Sequence, residues 1–143
     1  MPRHQEQRLL PYSRDAVFAI VRDVARYPEF LPWCVGARVY DVRDDSFTAD
    51  LLIGYKIIRE KYTSRVHVSA PDSVRIEYLS GPFQRLENIW HFSEPAPGQC
   101  LVDFTIDFEF RNKMLQKLAS QLFLDVVRKM VGAFEARAKA LSR

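Results

Sequence analysis

The C-terminal stretch from about Asn112 to Ser142 limits the possible folds of this chain more than any other, because it reads as one long amphipathic helix. Met114, Leu115, Leu118, Ala119, Leu122, Phe123, Val126, Val127, Met130, Val131, Phe134, Ala138 and Leu141 recur at spacings of three and four, the period of a single helical face. At about 1.5 Å per residue such a helix runs on the order of 45 Å, longer than a small domain is wide, so it has to cross the whole molecule. Asn112 is placed to cap its start, and no proline interrupts it. Gly132 costs roughly 1 kcal/mol relative to alanine in a helix interior, which predicts close packing against the backbone there.

The residues before the helix must supply what it packs against, and their periodicity is two. Glu6 to Leu10 reads as a short strand closed by Pro11. Ser13 then caps a helix of about three turns carrying Ala16, Val17, Ile20, Val21 and Val24, with Pro28 expected to stop it. Tyr27 to Cys34 places two prolines four apart among Tyr27, Phe30, Leu31 and Trp33, which forbids a long regular helix. Such a greasy short helix or loop is either a lid over the core, the reading favoured by this segment alone, or a gate over a cavity. From Val35 to Phe110 six strands follow, the first over Val35 to Arg43 with a turn at Arg43 to Ser46. Parity points Phe47, Ala49, Leu51, Ile53 and Tyr55 one way, then Tyr62, Ser64, Val66 and Val68, then Val74, Ile76 and Tyr78. Leu86, Asn88, Trp90 and Phe92, and finally Val102, Phe104, Ile106, Phe108 and Phe110, complete that face. An antiparallel meander with one wet and one greasy face needs a cover, and the C-terminal helix has the apolar area to be it. The predicted fold is α+β, a single domain over residues 1–143: a curved seven-stranded antiparallel sheet around one long helix, with two short helices between strands 1 and 2. A concave sheet of that width is broader than one helix can fill, so either rings or a ligand plug the gap.

Composition narrows the function. With 48% hydrophobic and 27% charged residues this is the balance of a globular protein, and no apolar run reaches the roughly 20 residues of a membrane span. The polar start, without an apolar signal region, and two cysteines with no CxxC spacing predict a cytoplasmic protein with two buried thiols. From Arg111 onward there are eight basic residues against two acidic ones, so the chain's net charge of +3 is carried by its end. That flank is either simply solvated, with Asp125 and Lys129 paired, or a weak docking surface for a polyanion such as an anionic lipid surface or RNA. His4, His67 and His91 are scattered, the latter two on predicted outer faces, so neither a catalytic triad nor a metal cluster is legible, and no Gly-rich phosphate loop is present. A binder is expected rather than an enzyme.

The opening Gln5, Arg8, Leu10 to Ser13, the block Tyr27 to Cys34, the strand pair around Phe47 to Val66 and the Trp90-His91-Phe92 strand resemble the coenzyme Q-binding, START-like proteins of the polyketide cyclase/dehydrase superfamily. The resemblance spans almost the entire chain and implies the helix-grip fold. It also implies a ligand, an isoprenoid quinone (ubiquinone) held in an apolar tunnel by a carrier or chaperone that supports respiratory electron transport. No cofactor and no DNA partner are implied. The same subfamily includes a ribosome-association toxin said to bind the large ribosomal subunit, which is the alternative, and a cyclase or aromatase activity is third because no acid and base pair maps onto the chain. On the quinone reading Phe30, Leu31 and Trp33 form the mouth. Ile53, Tyr55, Tyr62, Tyr78, Trp90, Phe104 and Phe108 wall the sheet side, and Leu122, Phe123, Val126 and Met130 the helix side. Asn88, which backbone could equally satisfy, is the candidate for a quinone oxygen. Delivery implies peripheral contact of the basic helix with the inner face of a respiratory membrane.

Overall fold

In the computed structural model, which describes residues 3–141, period-two alternation becomes one antiparallel sheet. Its strands are β1 (Arg3–Leu10), β2 (Cys34–Tyr40), β3 (Ser46–Tyr55), β4 (Ile58–Ser69), β5 (Ser73–Ser80), β6 (Phe83–Ser93) and β7 (Cys100–Phe110). They lie in the order β1-β7-β6-β5-β4-β3-β2, so the meander runs in sequence order and the first strand closes it beside the last. β1 starts earlier than its own pattern suggests, because each residue from Arg3 onward pairs with a β7 residue, Arg3 opposite Asp107 and Leu10 opposite Cys100. β2 stops at Tyr40, short of the expected Arg43, because Asp41 takes a positive φ of 50° that no strand accommodates.

Between β1 and β2 lie α1 (Arg14–Arg22) and a 3-10 helix (Val24–Glu29). The Ser13 hydroxyl caps α1 by accepting from the Ala16 amide at 3.2 Å. Pro28 does not stop this helix, contrary to the sequence expectation. α1 ends at Arg22, and Pro28 sits inside the 3-10 helix, whose tighter turns leave its missing N–H unneeded. α2 (Lys113–Leu141) is the long helix, its start held by the Asn112 carboxamide oxygen, which accepts from Met114 and Leu115. The expected last residue, Ser142, lies outside the described residues. Two details of α2 correct the pattern. Met114 and Leu141, in the first and last turns of the helix, are exposed although they fit the apolar spacing. Gly132 is exposed too, and a Cβ added there meets open space, so no close packing explains it.

The core is unevenly filled. Beside α1, the sheet face and α2 pack closely around a space of only about 30 Å³: Val17, Val21, Trp90, Val102, Val131 and Ala138 are all buried, Phe18 meets Phe92 edge-on, and Trp90 stacks on Phe104 with Phe134 against it. α1 is short and covers only that end. The rest of the concave face is spanned by α2, with the 3-10 helix and the segment after it, Val24, Tyr27, Leu31 and Trp33, along one side.

Both thiols belong to this interior. Cys34 and Cys100 are free and buried, and burial pushes each up to about 11. A raised acid favours the protonated fold, so this contribution is whole below about pH 9 and is lost as pH rises through 11. At pH 8 the native protein is expected to resist a thiol reagent such as iodoacetamide, and two thiols per chain react once it is denatured; fast labelling of the native chain would contradict this packing.

Candidate functional site

Where α1 gives out, a cavity of about 150 Å³ remains between the sheet and α2. Its sheet wall comes from inward positions of β3 to β7, Leu51, Ile53, Tyr55, Ile58, Tyr62, Ser64, Ile76, Leu86, Asn88, Ile106 and Phe108 among them. Its roof is one stripe of α2, Ala119, Leu122, Phe123, Val126, Val127, Met130 and Phe134. Leu31 and Trp33 close the side under the double-proline segment, where the Gly54 amide donates to the Trp33 carbonyl at 2.9 Å.

Most of the residues expected from strand parity and helix spacing meet here: Leu31, Trp33, Ile53, Tyr55, Tyr62, Asn88, Trp90, Phe108, Leu122, Phe123, Val126 and Met130 all line the space. Phe30, Tyr78 and Phe104 do not. Phe30 is turned outward, edge-on to Tyr27 and Phe134 and under the Arg137 guanidinium at 5.1 Å, in a groove between α1 and the end of α2. Arg137 is held there by Glu29 at 2.9 Å. Tyr78 spends its hydroxyl accepting from the Phe83 amide at 3.0 Å, which draws its ring into a cluster around Phe83. Phe104 lies one strand further, between Trp90 and His4. His4 was not expected on this side at all. It packs against Phe123 as well as Phe104, and its Nε2 lies 2.9 Å from Glu6, so the first turn of polar sequence hides an inward alternation. Ile76, Leu86 and Ile106, on the predicted inward face, join the wall as well, as do Ile58, at the start of β4, and Phe83, next to the Gly81-Pro82 break.

The polar groups in the wall are few and already engaged. Asn88 donates to the Thr105 carbonyl and accepts from Trp90 Nε1, both at 3.0 Å. This pairing spares the buried indole an unmet donor and leaves one amide hydrogen of Asn88 uncommitted. Tyr27 donates its hydroxyl to the Val21 carbonyl, and burial drives the phenols of Tyr27 and Tyr62 well above the usual tyrosine range. Both stay protonated at neutral pH and so keep a hydrogen to donate. Tyr55 is the wall residue that reaches outward: its hydroxyl donates to Asp125, and Lys129 donates to that hydroxyl at 3.2 Å and pairs with Asp125 at 3.3 Å. Hydrogen bonds from Tyr55 and Lys129 hold the Asp125 carboxyl below its ordinary range. The chamber can therefore surround an apolar molecule and orient a carbonyl or hydroxyl within it. Among the described residues its wall offers no carboxylate, imidazole or amine to move a proton.

Known proteins resemble this one along nearly all its length. The chain is 32% identical over 139 residues to the ribosome association toxin RatA of Escherichia coli K12, covering 97% of this chain and 88% of that protein. It is 34% identical over 139 residues to the Xenopus laevis coenzyme Q-binding protein COQ10 homolog B, mitochondrial, covering 94% of this chain and 57% of that longer one. Among solved structures, a START superfamily protein from Mycobacterium smegmatis superposes with a TM-score of 0.81 at 18% identity, over 97% of this chain and 98% of that one. The Zhui aromatase/cyclase from Streptomyces superposes at 0.87 with 13% identity, over 99% and 95%. These last two speak for the fold alone, the helix-grip fold that the meander and its helix predict. The model of the polyketide cyclase / dehydrase and lipid transport family matches residues 10–135, and with these relatives it follows that the chain belongs to that family.

Proposed function

We propose that this protein binds an isoprenoid quinone in the cavity under α2 and carries or chaperones it for respiratory electron transport. The observation that supports this most directly is the wall itself: a chamber of apolar side chains with Asn88 as its one amide. Burying an isoprenoid unit there contributes up to about 4 kcal/mol at roughly 0.8 kcal/mol per carbon, so the tail supplies affinity and the polar groups orientation. The uncommitted Asn88 hydrogen is the candidate donor to a quinone oxygen. A space of 150 Å³ suits one benzene-sized ring, so a long tail has to leave the chamber or lift α2 from the sheet. The similarity to the coenzyme Q-binding homologue points the same way.

A second reading, ribosome association, is favoured by the length over which RatA matches and by the basic outer face of α2, where Lys113, Lys117 and Arg128 are exposed. Phosphate contacts of that kind weaken steeply with salt.

Three measurements decide. Mass spectrometry of an organic extract of the purified protein is expected to find an isoprenoid quinone, and Val126→Trp, which fills the chamber from α2, is expected to abolish it while leaving the melting temperature within a few degrees. An extract without isoprenoid from the unaltered chain would sink the proposal. Asn88→Leu strands the Trp90 N–H and is expected to cost about 1–3 kcal/mol in denaturant unfolding, with weaker binding of a short-tailed quinone. An unchanged midpoint would mean that the Asn88–Trp90 pair matters little. Co-sedimentation with the large ribosomal subunit, lost in high salt and in a Lys113→Glu, Lys117→Glu, Arg128→Glu triple variant, would support the second reading; its absence leaves the lipid reading alone.

A further inference from the structure

The turn between β3 and β4 is filled by residues that folding alone would not choose. Tyr55 pairs with Ile58, leaving a two-residue loop, a place usually taken by glycine, asparagine or aspartate when φ is positive. Here the first residue is Lys56, at φ 56°, and the second is Ile57, 81% exposed. A lysine held left-handed carries strain that glycine would relieve, and an isoleucine at the tip gains nothing from water. Arg59 closes the turn by donating to the carbonyls of Lys56 and Ile58, at 2.7 and 2.8 Å, which keeps its guanidinium at the tip as well. Apolar surface continues down the convex side of the same end: exposed Val35 lies over Gly54, and exposed Leu52 over Gly36.

This hairpin also shuts the cavity. Its Tyr55 and Ile58 line the chamber, as do Leu122 and Val126 of α2, and between them sits the Tyr55–Asp125–Lys129 cluster. Lys56 and Lys129 both lie over the Tyr55 ring, at 5.7 and 5.4 Å, so cations bracket the lip and Asp125 opposes them from α2.

We infer that the β3–β4 tip docks on an anionic lipid bilayer, Ile57 entering the acyl boundary while Lys56, Arg59 and Lys129 meet lipid phosphates at the latched lip of the cavity. Phosphates on RNA would attract the same cations, but only a bilayer rewards a protruding isoleucine. Lipid phosphates that compete for Lys129 take from Asp125 one of the two partners that hold the Tyr55 latch, at the point where a guest would pass. The passage of a guest rests on the quinone reading; the docking does not.

The test uses the full chain without cargo. Because both native thiols are buried, an environment-sensitive fluorophore on Ile57→Cys reports that position alone. With phosphatidylcholine vesicles containing phosphatidylglycerol, a blue-shifted emission and co-flotation are expected, both weaker on pure phosphatidylcholine. The same label on Val42→Cys, exposed at the far end of β3, is expected to stay in water. Ile57→Asp and Lys56→Glu should each lower the vesicle partition about tenfold or more. Lys56→Gly should weaken it too while raising the melting temperature, which separates docking from folding. No shift at position 57, an equal shift at position 42, or capture by polyuridylate in place of vesicles would overturn the inference. An isoprenoid in the extract without docking sinks only this inference; docking without an isoprenoid sinks only the quinone reading.

Discussion

A concave seven-stranded sheet offers more apolar area than one helix can cover, and the rest of this structure follows from how the deficit is met. At one end α1 fills most of it, and the rings of Trp90, Phe104 and Phe134 interlock around a space of only about 30 Å³. At the other end nothing does. The inward side chains of β3 to β7 face Leu122, Phe123 and Val126 across a void. Dispersion contacts forgone around that void are a standing cost to stability, the kind a fold retains where an occupant makes it good.

The way α2 is held suits such an occupant. Over the hollow end its polar ties to the sheet include the Tyr55–Asp125–Lys129 cluster and the Phe110 amide, which donates to Gln116 at 2.7 Å, and at the filled end Arg8 pairs with Glu135 at 2.6 Å and Arg137 with Glu29. Solvent screens pairs of this kind, so they set the position of the helix without locking it. Apolar packing at the α1 end anchors α2, and over the cavity the helix forgoes part of that packing.

The family joins cyclases and dehydrases with lipid transport on one backbone, so what a member's chamber wall can do has to be read from its own side chains. Here the wall holds hydroxyls and one amide, with the phenols kept protonated by burial. Such groups can orient a guest by hydrogen bonding. The charged residues of α2 and of the β3–β4 hairpin lie outside, where they bear on what the molecule touches.

Strand faces were legible in the residues because alternation is a local property: once β3, β4, β6 and β7 are recognised, Ile53, Tyr62, Asn88 and Phe108 must share a side. The stripe of α2 was legible for the same reason at a period of 3.6. Depth along the cavity was not. Phe30 and Phe104 have the composition of cavity residues, yet a salt-bridged Arg137 over one and the Trp90 stack beside the other place them elsewhere. Tyr78 was lost to a hydrogen bond with the Phe83 amide, and His4 was gained because β1 pairs with a strand roughly a hundred residues away, at Ile106. The chain by itself thus determined which side chains face inward, since that depends on neighbours two to four residues apart. Tertiary structure alone decided where the inward face stays hollow, because that depends on how far α1 reaches over a sheet it joins only in three dimensions.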